Sequence, residues 1–201
     1  MFIELTDHLR CSADHGESFL VLLPSRMEGR VVLAGDLGCP LCGRTIAIVE
    51  GVAEFGGGAP TAPRTALGAE AAATFLGLGG PGGYLALVGG TGVLAPELER
   101  LLPGVRLVAI NPPARLPPAY PASVLRSSRL PLKPACMRGV LLGPGLSPEW
   151  VADSARALLP GLRIVGEGDP PSLAELELLA SAEGVWVARR RQPGGSARST
   201  L

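Results

Sequence analysis

Residues 84–92 read Tyr-Leu-Ala-Leu-Val-Gly-Gly-Thr-Gly, YLALVGGTG. An unbroken apolar run followed at once by glycines predicts a strand buried on both faces that turns sharply at its end. Upstream, Ala66–Leu78 is alanine-rich and reads as a helix. Downstream, Leu94, Leu98, Leu101 and Leu102 recur at i, i+4, i+7 and i+8 and form one apolar helix face. Val105–Ile110 (VRLVAI) is a second strand, ending at Asn111-Pro112-Pro113. A proline-rich crossover leads to Ala122–Arg126 and then to Gly139–Leu142. Ser147-Pro148-Glu149 opens a helix presenting Val151, Ala155, Leu158 and Leu159 on one side. Leu162–Val165 is another strand, Ser172-Leu173-Ala174-Glu175 is a capping box opening a further helix, and Gly184–Arg189 (GVWVAR) closes the series. Alternating helices and strands force a parallel sheet with right-handed crossovers. The expected fold is α/β, with a Rossmann-like doubly wound parallel sheet over residues 66–191. A ligand site in such a sheet lies beyond the strands' C-terminal ends, here at Gly89, Gly90, Thr91 and Gly92 and near Asn111.

The chain before this is different. Phe19–Leu23 (FLVLL) and Arg30–Ala34 (RVVLA) are β-rich runs separated by Pro24, Glu28 and Gly29, as in a hairpin. Thr45–Val49 (TIAIV) is a further strand. Residues 1–57 are expected to form a small β-rich, zinc-ribbon-like domain. Gly, Pro, Ala and Thr dominate residues 56–65 (GGGAPTAPRT), so 58–65 reads as a linker. The polar stretch 192–201 reads as a disordered tail.

Within 1–57 lie Cys11, His15, Cys39 and Cys42, as Cys-x3-His and then Cys-Pro-Leu-Cys. Zinc prefers four soft or borderline ligands in a tetrahedron, supplied as two close pairs from tight turns. Gly43 suits the backbone reversal after the second pair. His8 competes with His15 as the fourth ligand. A domain this small has little core of its own, so the metal would hold it together.

Composition narrows the function classes. The chain has 201 residues and is 47% hydrophobic, enough for one large domain or two small ones. Its 28 glycines and 20 prolines punctuate the apolar runs, which implies many short elements. Eighteen basic and eighteen acidic residues cancel, so no global field draws nucleic acid. No apolar run reaches the ~18–20 residues that span a bilayer. The first residues lack a basic region and a long apolar run, unlike a signal peptide. Metal-spaced cysteines without a secretory signal favour the cytoplasm. Cys136 reads as a small buried residue, Trp150 and Trp186 as core, and Arg189-Arg190-Arg191 as a solvated strand end.

Residues 35–56, GDLGCPLCGRTIAIVEGVAEFG, resemble the end of a Trm112-like zinc domain, and Leu5–Cys11 (LTDHLRC) resembles its start. Cys11 and His15 stand where that family commonly has two cysteines. Family members bind and stabilise methyltransferases that modify tRNA, rRNA or translation factors. Residues 66–191 resemble a class I S-adenosylmethionine-dependent methyltransferase. The resemblance rests on the glycine-rich approach, the apolar strand, the GGTG turn, and the helix and strand from Pro148 to Val165. It implies S-adenosylmethionine as cofactor. The family's usual acid in the first strand falls at Ala86, and its first turn glycine at Val88. The ribose-binding acid falls at Asn111, and an acid near the fourth strand is replaced by the cation of Met137-Arg138-Gly139. No Asn-Pro-Pro-Tyr motif follows that strand.

The sequence therefore points to a zinc-stabilised, methyltransferase-like protein, degenerate at its cofactor site and acting as a structural or regulatory partner of other proteins. Two alternatives stand beside it. One is an active methyltransferase with an atypical cofactor site. The other is a subunit of a larger complex without a small-molecule ligand. Homo-oligomerisation is left open.

Overall fold

The computed structural model describes residues 1–57, 64–114, 116 and 120–192. Its strands are β1 (Val21–Glu28), β2 (Val31–Gly38), β3 (Thr45–Val49), β4 (Val52–Gly56), β5 (Tyr84–Val88), β6 (Arg106–Ile110), β7 (Ser123–Ser127), β8 (Met137–Leu142), β9 (Leu158–Glu167), β10 (Leu176–Ala182) and β11 (Val185–Arg190). The helices are α1 (Ala69–Leu76), α2 (Ala95–Leu101) and α3 (Pro148–Ala157), with 3-10 segments at Ile3–His8 and Gly89–Leu94. All strands belong to one 11-stranded mixed sheet in the order β1-β2-β3-β4-β7-β6-β5-β8-β9-β11-β10.

The middle of the sheet is parallel. The chain runs outward from β5 through β6 to β7 on one side and through β8 to β9 on the other. The direction reverses between β5 and β8, which makes that gap the switch point of a doubly wound sheet. Both margins are antiparallel: the β1–β4 meander on one side, and the β10–β11 hairpin laid against β9 on the other.

The two parts of the chain meet in a single ladder. β4 pairs in parallel with β7, with Val52 opposite Val124, Ala53 opposite Leu125 and Glu54 opposite Arg126. Ala53 and Leu125 are fully buried, and they continue one core face that runs from Ile46 and Ile48 through Ile110 to Val88. Leu5 of the first 3-10 segment and Leu9 just after it cover this face at one end, and Ala155 and Ala157 of α3 cover it at the other. The opposite face buries Leu85, Leu87, Leu107 and Leu141 under α1 and α2.

Several elements differ from the sequence reading. The capping box at Ser172–Glu175 opens no helix; Leu176–Ala182 is strand β10. Glu183 and Gly184 both take positive φ, 52° and 74°, which is the backbone of a two-residue hairpin turn. Pairing with β11 thus outweighs the helical propensity of Leu, Glu and Ala. Leu158 and Leu159 begin β9, because α3 ends at Ala157. Leu101 lies off the apolar face of α2 and is exposed. Pro24 is inside β1 at a bulge, where an edge strand tolerates a residue with no N–H. β4 follows β3 after a tight turn at Glu50-Gly51 and was not separable in sequence from its neighbour. The 58–65 linker falls mostly outside the described residues, and the tail almost wholly so. Among the described residues no helix is long and apolar enough to cross a membrane.

Arg138 explains the glycine-rich approach to β5. Its guanidinium donates to the carbonyls of Gly79 (2.7 Å), Gly80 (3.1 Å) and Pro81 (2.9 Å), and also to Gly82. One planar fork thus collects carbonyls that a tight loop leaves without backbone partners. Replacing Arg138 with Ala is expected to lower stability to urea by about 1–2 kcal/mol, the range for charge-assisted bonds that are partly solvated. Lys at 138 should recover less than half of that loss in the same denaturation.

Candidate metal centre and the crevice at the strand ends

The loop after the first 3-10 segment carries Cys11 and His15. It is strapped to the parallel half of the molecule: Arg10 N–H donates to the Pro131 carbonyl at 3.0 Å, and Lys133 N–H donates to the His8 carbonyl at 2.9 Å. The second pair lies in the turn between β2 and β3. There Gly43 N–H donates to the Cys39 carbonyl and Cys39 N–H to the Arg44 carbonyl, each at 2.9 Å. Gly43 sits at φ 70°, so the glycine is required by the turn.

These turns bring Cys11, His15, Cys39 and Cys42 together, with ligand atoms all within 4.8 Å of one another. Cys11 Sγ is 3.8 Å from Cys42 Sγ, and Cys39 Sγ is 3.4 Å from His15 Nε2. Two thiolates on one tetrahedral ion with bonds of ~2.3 Å would lie about 3.8 Å apart, and a thiolate–imidazole pair about 3.5 Å apart. The spacing therefore fits an ion held by all four residues. His15 Nδ1 is 2.6 Å from the Gly16 carbonyl, which assigns its proton to Nδ1 and leaves Nε2 facing the sulfurs. His8 is elsewhere: its ring meets the Tyr84 ring edge-on at 4.9 Å, and burial lowers its pKa.

The electrostatics suit cation binding. Burial resists ionisation of Cys39, but N–H groups of Cys42 and Leu41 and the neighbouring thiols outweigh it and bring the thiol down to about 6. Burial pushes the Cys11 thiol the other way, so its thiolate is favoured by a bound cation. Four protein ligands leave no open position for substrate, the mark of a structural metal site. Cys136 stands apart, with burial pushing its thiol up to about 12.

The glycine turn and Asn111 meet at the other candidate position, the C-terminal ends of β5 and β6. Gly89–Leu94 forms a 3-10 turn in which Gly89, Gly90, Thr91 and Gly92 are all buried, and α2 begins only at Ala95. Thr91 Oγ1 is 3.0 Å from the Val88 carbonyl and 3.1 Å from the Leu141 carbonyl, across the switch point. Gly143 N–H donates to the Val88 carbonyl at 3.0 Å, and Tyr120 hydroxyl donates to the Gly92 carbonyl at 2.6 Å. Gly92 also backs onto Pro112: a Cβ at position 92 would lie 2.6 Å from Pro112 Cβ. Asn111, at φ 50°, donates from Nδ2 to the Ser127 carbonyl (2.7 Å) and accepts at Oδ1 from Ser127 N–H (2.9 Å). Its amide thus joins the ends of β6 and β7. Ala86, where an acid is usual in the resembled family, lies fully buried among apolar side chains. Arg138 is committed to residues 79–82, which precede β5.

The roles of Tyr120, Ser127 and Gly143 were not read from the sequence. The one available signal was a lone tyrosine in the proline-rich crossover where a helix is usual.

No family model matches the chain, and no curated protein does. Solved structures with a partly similar fold include the pyocyanin biosynthetic protein PhzM (13% identity, 56% of this chain and 52% of that one, TM-score 0.41). The chain thus spans about half of PhzM. They also include a precorrin-6y C5,15-methyltransferase from Geobacter metallireducens GS-15 (14%, 61% and 87%, TM-score 0.40). A third is the antibiotic-resistance methyltransferase Kmr (13%, 64% and 95%, TM-score 0.44). Likenesses of this size concern the path of the chain alone.

Zinc content by atomic emission is expected to be one ion per chain in the wild type and near zero in a Cys39→Ser/Cys42→Ser variant. Asn111→Ala should lower stability by about 2–3 kcal/mol, since it leaves two buried backbone groups of Ser127 unpaired. Urea denaturation reads that loss.

Proposed function

We propose that this chain is a zinc-stabilised, methyltransferase-like protein whose cofactor crevice is closed by its own residues, and that it works as a binding partner of other proteins in the cytoplasm. On this reading residues 1–57 are a Trm112-like zinc domain carried in the same chain as a degenerate methyltransferase-like domain. The observation that carries the proposal is the use of Asn111. Both atoms of its amide are bonded to Ser127, so the group that would hold a cofactor's ribose is already spent. Ala86 offers no charge, and the glycine turn is backed by Pro112 and Tyr120. Two missing charge-assisted contacts at about 1.5–3 kcal/mol each weaken binding by roughly two to four orders of magnitude.

The second reading is an active S-adenosylmethionine-dependent methyltransferase with an atypical site. The location of the glycine turn favours it, because Gly89–Gly92 sits at the switch point where doubly wound sheets hold ligands. A third reading, a subunit of a larger complex with no small-molecule ligand, shares the closed crevice.

Calorimetric titration of S-adenosylmethionine into the zinc-loaded protein separates these readings. The closed crevice predicts no saturable heat with millimolar ligand. A micromolar dissociation constant would overturn the proposal and establish the enzyme reading's first requirement.

A further inference from the structure

Among the described residues, the antiparallel half of the sheet is covered on one face only. Ladder pairing puts Leu23 of β1, Asp36 of β2, Ala47 of β3 and Glu54 of β4 in one row across the strands. The next residue in that row is Arg126 of β7, and the same register identifies this as the face that α1 and α2 cover on the parallel half. Neither helix reaches β1–β4. The described residues of the crossover from β6 to β7 form no helix, and its Tyr120 and Ala122 pack with the cluster under α1 and α2.

An antiparallel sheet that faces water normally alternates apolar inside and polar outside. Here the outward residues include Val21, Leu23, Ala47 and Val49, with Leu23 62% and Val49 57% exposed. That is the composition of a covered face. β1 itself is a poor template for strand addition, because Pro24 interrupts it. The docking feature is therefore the face and not the edge.

The charges in the row say what fits. Asp36 and Glu54 flank Ala47, one strand spacing of ~4.8 Å to either side. Neither forms an ion pair among the described residues. A helix is about 10–12 Å wide. Laid along β3, it has the small Ala47 beneath its axis, Val49 under its apolar stripe, and one carboxylate along each flank. Anionic lipid and nucleic acid would be repelled by those carboxylates.

We propose that this face binds an amphipathic helix of a partner protein laid along β3, with an apolar stripe over Val49 and Ala47 and lysines or arginines against Asp36 and Glu54. This rests on the binding-partner reading of the protein, but it is measured independently of the cofactor crevice. The probes are a labelled helical peptide of about 18 leucine and lysine residues with one apolar face, and its leucine–glutamate counterpart. Fluorescence anisotropy against the zinc-loaded protein should show saturable binding of the lysine peptide and at least about tenfold weaker binding of the glutamate peptide. Asp36→Lys/Glu54→Lys should invert that preference, and Ala47→Ser/Val49→Ser should lose both, with circular dichroism unchanged. Equal binding of the two peptides by the wild type, or of neither, would overturn the proposal without reference to any variant. So would a concentration-dependent dimer abolished by Val49→Ser, which would assign the face to a second copy. Cofactor titration leaves all these outcomes unaffected, so failure here and failure of the closed crevice are distinguishable.

Discussion

Everything in this molecule depends on the parallel pairing of β4 with β7. A four-stranded meander of this size buries too little to stand alone without help. At β4 it gains a central sheet neighbour: Ala53 and Leu125 meet in the core, and the backbone bonds that would be an open edge are shared with the α/β half. The same pairing converts the outer strand of the parallel sheet into an interior one. The 8–11 strap adds a second joint at Pro131–Lys133 on the core side. The candidate metal centre brings the 11–15 loop to the turn between β2 and β3, so an ion held by Cys11, His15, Cys39 and Cys42 would also hold the strap to the sheet.

The crevice follows from the same economy. A doubly wound sheet leaves a gap where its strand order reverses, and a bound ligand is one way to satisfy the polar groups there. This chain satisfies several of them internally. Thr91 bridges the Val88 and Leu141 carbonyls, Gly143 bonds Val88, Tyr120 bonds Gly92, and Asn111 bonds Ser127 on both sides of its peptide. Each contact stabilises the strand ends and removes a group from the set open to a ligand. On the reading proposed above, the bonds that stabilise the strand ends are also those that close the crevice.

The parts of this architecture that were legible in the sequence are those with a local cause. YLALV must be a doubly buried strand because it has no polar face, and Cys-Pro-Leu-Cys-Gly must be a tight turn because Gly43 takes positive φ. The parallel core and the Cys39–Cys42 pair follow from such signals, whereas His8 and His15 are told apart only by the fold, which brings His15 to the thiols. Features set by the strand or residue that a segment pairs with were hidden. Leu176–Ala182 has helical composition and becomes a strand because β11 pairs with it. β4 carries no periodicity that announces β7 as its neighbour. Asn111 could be placed at a strand end from sequence, but its partner Ser127 is 16 residues away and carries no motif.

Hydrogen exchange with and without a strong chelator tests most directly whether the candidate metal centre and the parallel sheet form one mechanical body. If β4 and β7 truly share the ladder, removal of the metal lowers protection of the Val124 and Leu125 amides together with those of β2 and β3. Loss of protection confined to residues 1–57, with β7 amides unchanged, would contradict it.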